Sequence, residues 1–204
     1  MKKFSWPTIR PGERVFFVGP SGSGKTEVAR ALLAAQKHAI ILDTKGSEDW
    51  SDVGEICGPR DIYNVKNGRY VYSVEPDFLV DPARQEKFFR WCLARGNCVV
   101  YVDELLDILE VPGLKIVATQ GRAKRVGLWT GTQRPHGVPI FALSEANHAF
   151  VWRLRVDRDR QRIESAVGLD RGAIPWDGEG MRRPFAFLYI DAKGNVAGPE
   201  YLRL

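Results

Sequence analysis

Short apolar runs alternate with amphipathic stretches along most of the chain, and several runs stop at a glycine, an acid or a polar turn. Arg14-Val15-Phe16-Phe17-Val18 leads into a glycine-rich segment, the pattern of a buried strand feeding a turn. Beyond it, Val28, Ala31, Leu32 and Ala35 recur at helical spacing and predict a helix with one buried face. Ala39-Ile40-Ile41-Leu42-Asp43 predicts a second buried strand, and Tyr70-Val71-Tyr72 a third after a long irregular connection. Asp81 is a fitting N-cap and Pro82 a fitting first residue for the next helix, whose later turns carry Phe88, Trp91, Cys92 and Arg95. Cys98-Val99-Val100-Tyr101-Val102 is the most strand-like stretch, and residues 126–132 predict another strand after a helical segment. Further strands are expected at 148–154 and 185–190 with a helix at 157–167 between them, and Lys193-Gly194-Asn195 reads as a turn into a last short strand.

Strands alternating with helices predict an α/β fold with a mainly parallel central sheet and helices on both faces, extended by a small C-terminal hairpin. At 204 residues and 44% hydrophobic, the chain is expected to form a single domain, 1–204, around one substantial core. No run approaches the roughly 20 apolar residues of a membrane span, and the first residues lack the apolar core of a signal peptide, so a soluble intracellular protein is expected. Cys57, Cys92 and Cys98 have neither metal-ligand spacing nor an even count for disulfides, which suggests buried thiols. A net charge of +5 permits a polyanionic partner without requiring one.

Gly19-Pro20-Ser21-Gly22-Ser23-Gly24-Lys25-Thr26 has two glycines five apart followed by Lys and Thr, between an expected strand and an expected helix. The glycines let consecutive backbone N–H groups turn inward on phosphates, and the helix adds its positive end. Lys25 would then reach the β- and γ-phosphates of ATP, and the Thr26 hydroxyl would ligate Mg2+. A glycine-rich turn with an exposed lysine is the bland alternative, and the flanking strand and helix weigh against it. The strand from Cys98 ends in Asp103-Glu104, where a parallel sheet presents ligand-facing residues. Asp103 suits the magnesium position, directly or through water, and Glu104 would polarise the attacking water. Two acids opening a helix would be the structural alternative.

The stretch Gly121-Arg122-Ala123-Lys124-Arg125-Val126-Gly127-Leu128-Trp129-Thr130-Gly131-Thr132-Gln133-Arg134-Pro135 resembles the FtsK/HerA superfamily of DNA-pumping ATPases, where a Gly-Arg pair precedes a strand ending in Thr-Gln-Arg-Pro. Asp43-Thr44-Lys45-Gly46 is similar to a sequence common in that superfamily. The resemblance covers about residues 13–135 as a motor core, with 136–204 completing the sheet, and implies a RecA-like P-loop NTPase of the ASCE type. It implies that Gln133 is the polar sensor of the γ-phosphate or attacking water, and that Arg122 is an arginine finger inserted into a neighbouring subunit's site. Lys124 and Arg125 stand where the family often has small residues, and Gly131 where it often has alanine.

The small size is similar to the genome-packaging ATPases of internal-membrane-containing icosahedral viruses. That likeness implies ATP-driven translocation of double-stranded DNA by a homo-oligomeric ring docked on capsid packaging-vertex proteins, in the host cytoplasm and at the virion vertex. A small P-loop phosphotransferase and a phage assembly or secretion ATPase are the alternatives. For the DNA grip, Arg153, Arg155, Arg158, Arg160, Arg162 and the pair Arg182-Arg183 are candidate phosphate contacts, although Asp157, Asp159 and Glu164 interleave with the first group. Trp129 and Trp152 are expected in the core or at a subunit contact, and the three histidines receive no role.

Overall fold

The structure, a computed structural model, describes residues 6–46, 49–175, 181 and 183–201. Its strands are β1 (Val15–Val18), β2 (Ala39–Asp43), β3 (Glu55–Cys57), β4 (Arg69–Ser73), β5 (Cys98–Val102), β6 (Val126–Thr132), β7 (His148–Trp152), β8 (Ala186–Asp191) and β9 (Val196–Tyr201). Between them lie α1 (Lys25–Ala34), α2 (Pro76–Val80), α3 (Pro82–Arg95), α4 (Pro112–Gln120), α5 (Ile140–Ser144) and α6 (Asp157–Val167). Among the described residues these nine strands form one sheet in the order β3-β4-β2-β5-β6-β1-β7-β8-β9. Pairing is parallel from β3 to β7 and antiparallel from β7 to β9, the expected parallel sheet with a C-terminal hairpin.

The continuous apolar runs follow from this order, because β1, β2, β5 and β6 are covered on both faces and buried at every position. Alternate residues of each strand separate into two core layers. Phe16, Val18, Ile40, Leu42, Val100, Val102 and Leu128 pack with Phe88, Phe89 and Cys92 of α3 and Leu114 and Val117 of α4. Phe17, Ile41, Val99, Tyr101, Trp129 and Phe150 pack on the other face with Val28, Ala29, Leu32 and Leu33 of α1. Trp129 and Trp152 are both core residues. Truncating a side chain of that size in a core costs about 3–5 kcal/mol. The three cysteines are free and buried, and burial pushes the Cys98 thiol up to about 11.

Local signals placed several boundaries correctly. Asp81 caps α3, its carboxylate accepting from the Ala83 and Arg84 backbone N–H groups. Asp191 organises the last turn by accepting from the N–H groups of Lys193 and Asn195. Three features differ from expectation. β3 is an additional edge strand of three residues with Ile56 63% exposed, too short and too exposed to leave a periodic signal. The strand expected over 148–154 stops at Trp152, where the chain turns toward α6 and Arg160 donates to the Leu154 carbonyl. The strand expected from 185 begins at Ala186, because Phe185 has a left-handed backbone with φ of 60°.

Candidate active site

β1 lies between β6 and β7, so the loop that follows it emerges at the carboxyl edge of the sheet. The Gly19 N–H donates to the Thr132 carbonyl at 3.2 Å, fixing the start of the loop to the end of β6. A Cβ on Gly19 would lie 2.5 Å from Cβ of Trp152, so this close approach requires glycine. Gly24 then turns the chain into α1 with φ of 95°, a left-handed position that glycine occupies without a Cβ clash. Lys25 is 9% exposed, and its Nζ lies 2.7 Å from the Gly19 carbonyl and 2.9 Å from that of Pro20. The ammonium thus sits inside the curl of its own loop, partnered by backbone oxygens.

β5 delivers Asp103 and Glu104 to the same edge, and both are 4% exposed. The Tyr101 hydroxyl donates to Asp103 Oδ1 at 2.9 Å, which orients that carboxylate. Lys45 closes over the pair, its Nζ 3.8 Å from Asp103 Oδ2 and 3.5 Å from Glu104 Oε2. Glu104 Oε1 is buried with no hydrogen-bond partner among the described residues, an acceptor available to a group entering the site. The segment after β2 that carries Lys45 is held locally. Asp43 accepts from the Gly46 N–H at 3.0 Å and from the Ser73 hydroxyl at 3.4 Å, and the Thr44 hydroxyl donates to Asp107 at 3.0 Å. Burial raises the Asp43 carboxyl above its usual value of 3.8, and the nearby Asp103 charge adds to the rise.

These elements enclose a cavity of about 270 Å³ lined by residues 21–27, Lys45, Asp103, Gln133 and Phe185. Residues Ser21, Gly22, Ser23, Gly24, Lys25 and Thr26 therefore face it together with Asp103 and Gln133. Gly19 and Pro20 form the base of the loop rather than its lining, and Glu104 borders the cavity through Lys45. The Thr26 hydroxyl and the Asp103 carboxylate are hard oxygen donors of the kind Mg2+ accepts, and would hold such a cation beside bound phosphates. No group of three or more His, Cys, Asp or Glu side chains that could hold a metal occurs among the described residues. The donor set thus fits a cation shared with a nucleotide better than a dedicated metal cage.

Arg122 is not part of this convergence. It is exposed in the single turn Gly121–Lys124 that precedes β6, whereas Gln133 follows that strand. Seven extended residues at about 3.3 Å each separate the two by roughly 20 Å, at opposite edges of the sheet. Lys45 and Phe185 are cavity residues that the sequence pattern left without a role. The signal for Lys45 was its position just past the carboxyl end of β2, in a segment singled out only for its similarity to a known motif.

Over 193 residues the chain is 33% identical to the DNA packaging ATPase P9 of Enterobacteria phage PRD1, covering 90% of this chain and 84% of that protein. The chain belongs to the viral DNA packaging ATPases of the FtsK/HerA type. No family model matches it. Among solved structures, the genome packaging NTPase B204 of Sulfolobus turreted icosahedral virus 2 in complex with sulfate superposes with a TM-score of 0.77 at 18% identity, over 96% of this chain and 99% of that one. The same protein in complex with ATP-gammaS gives 0.74 at 18% identity, over 96% of this chain and 100% of that one. The pCW3 conjugation coupling protein TcpA gives 0.57 at 15% identity over 87% of this chain and 57% of its own. At such identities these structural likenesses concern the fold, that of a P-loop NTPase.

Proposed function

We propose that this packaging ATPase hydrolyses ATP at the carboxyl-edge cavity and uses the energy to drive double-stranded DNA into a viral capsid. The observation that carries this reading is the meeting of the 19–26 loop, Asp103 and Gln133 around one cavity, with Glu104 at its border. The triphosphate lies along the loop N–H groups, and Lys25 leaves the Gly19 and Pro20 carbonyls for the β- and γ-phosphates. Thr26 and Asp103 would hold Mg2+, which would supply positive charge against the phosphates. Glu104 accepts a proton from the attacking water as its oxygen bonds to the γ-phosphorus, while the bond to the ADP oxygen breaks. Gln133 orients that water or the γ-phosphate, and Arg122 of one subunit completes the site of the next in a homo-oligomeric ring.

Duplex DNA is held through phosphates, without base reading. Internal contacts reduce the candidate cations, since Arg160 bonds the Leu154 carbonyl and Asp157, and Arg162 the Val138 carbonyl. Arg155 and Arg158 are exposed and serve best for the grip, while Arg182 lies outside the described residues. Among the described residues no helix is long and apolar enough to cross a membrane. The ring works at the packaging vertex of the capsid, supplied from the host cytoplasm.

Hydrolysis measured with and without linear duplex DNA tests the motor. Wild-type turnover should rise with DNA, and Glu104→Gln should bind ATP yet turn over at least about 100-fold more slowly. DNA-indifferent hydrolysis, or transfer of phosphate to a small acceptor, would refute the proposal.

A further inference from the structure

Phe185 lines the cavity, yet nothing in the phosphate chemistry uses an aromatic ring. Among the described residues it is the only aromatic side chain in the lining, beside loop residues, two lysines and two acids, Gln133 and small polar groups. The ring is half-buried, and among the described residues it belongs to neither core layer. Its neighbour two positions on, Phe187, is by contrast a core residue. The Phe185 backbone sits at φ of 60°, a conformation in which a bulky side chain is an outlier and glycine or asparagine is at ease. Ring and strain therefore coincide where the chain enters β8 beside the phosphate loop, and strain of this kind tends to persist where the surroundings and the function require it.

A nucleoside triphosphate has one polar end and one flat, weakly polar end. The loop, Lys25, Thr26 and Asp103 suit the first. A purine needs an apolar face, and among the described residues lining this cavity the Phe185 ring is the face available. We propose that Phe185 is the base platform of the site, stacking on the purine of the bound nucleotide and using the left-handed turn before β8 to aim its ring into the cavity. The proposal rests on the nucleotide-site reading above and extends it from the phosphates to the base. Stacking recognises a π-face rather than a hydrogen-bond pattern, so Phe185 contributes affinity for a purine without selecting which one.

The test compares a non-hydrolysable ATP analogue with inorganic tripolyphosphate, each with magnesium, by calorimetric titration of wild type, Phe185→Asn and Phe185→Trp. Asparagine tolerates the left-handed backbone and removes the ring, and tryptophan keeps a π-face. Phe185→Asn should weaken the analogue about tenfold, a change of about 1.4 kcal/mol and within the range for stacking one base, with tripolyphosphate affinity unchanged. Phe185→Trp should restore analogue binding, and the melting temperature of Phe185→Asn should not fall. Should the asparagine variant not fold, Phe185→Gly removes the ring with still less backbone strain. Unchanged analogue binding overturns the platform, as does an equal loss for both ligands, which would make the ring a support of the loop. Wild-type protein that binds neither ligand would instead refute the phosphate site itself, before any variant is compared.

Discussion

At the scale of single residues, the site is a set of buried charges held by neighbours that the fold supplies. Lys45 balances two adjacent carboxylates that would otherwise repel each other under 4% exposure. Asp43 is the support beneath it, with its backbone and hydroxyl donors in place but its charge pressed by burial and by Asp103. Because its folded value is raised, protonated Asp43 is favoured in the native state. Its contribution is fully present below 3.8, the unfolded value, and is lost as pH rises through the folded one. Asp43→Asn keeps an acceptor and removes the charge. The melting temperature of this variant minus that of wild type should therefore grow as pH rises from about 3 to about 7, then level off. A difference that is flat or shrinks with rising pH would show that the Asp43 anion is not under strain.

Elements bring those residues together by close approach of backbones, and Gly131 is the tightest point in the site. A Cβ there would stand 2.4 Å from the Asp103 carbonyl oxygen and 3.3 Å from the Tyr101 hydroxyl. Although the FtsK/HerA resemblance would allow alanine at this position, here it would push the end of β6 from that of β5 and displace the carboxylate that Tyr101 orients. Gly131→Ala should cost about 1–3 kcal/mol of stability and raise several-fold the Mg2+ concentration giving half-maximal ATP hydrolysis. Melting curves and a magnesium titration of the rate check both parts, and an unchanged titration midpoint would remove Gly131 from the site's geometry. Much of this architecture was legible in the sequence because it rests on local signals. The central strands announce themselves as apolar runs, Asp81 and Pro82 as a helix start, and residues 19–26 as a glycine-rich turn between a strand and a helix. What was hidden depends on distant partners. β3 exists through its pairing with β4, Lys45 meets acids nearly sixty positions away, and the left-handed Phe185 interrupts what reads as a strand.

For the whole molecule, the decisive fact is that the parallel sheet has two edges and the candidate catalytic groups divide between them. Gln133 and the acids stand at the carboxyl edge, and Arg122 at the amino edge beyond the length of β6. A side chain cannot span that distance, so an arginine finger at this position can act only on a second copy. A head-to-tail contact that presents the amino edge of one subunit to the carboxyl edge of the next is heterologous, and such contacts close into rings when the rotation permits. Arg122→Ala and Glu104→Gln should each fold and bind ATP while losing hydrolysis when assayed alone. In a one-to-one mixture under conditions where subunits exchange, about one interface in four joins an intact Glu104 to an intact Arg122. DNA-stimulated hydrolysis should then recover to roughly that fraction of wild type if interfaces fire independently, and to less if the ring must fire in sequence. Mixtures that remain silent while native mass measurements show mixed oligomers would exclude Arg122 as a shared catalytic group, leaving each subunit's cavity to work with its own residues.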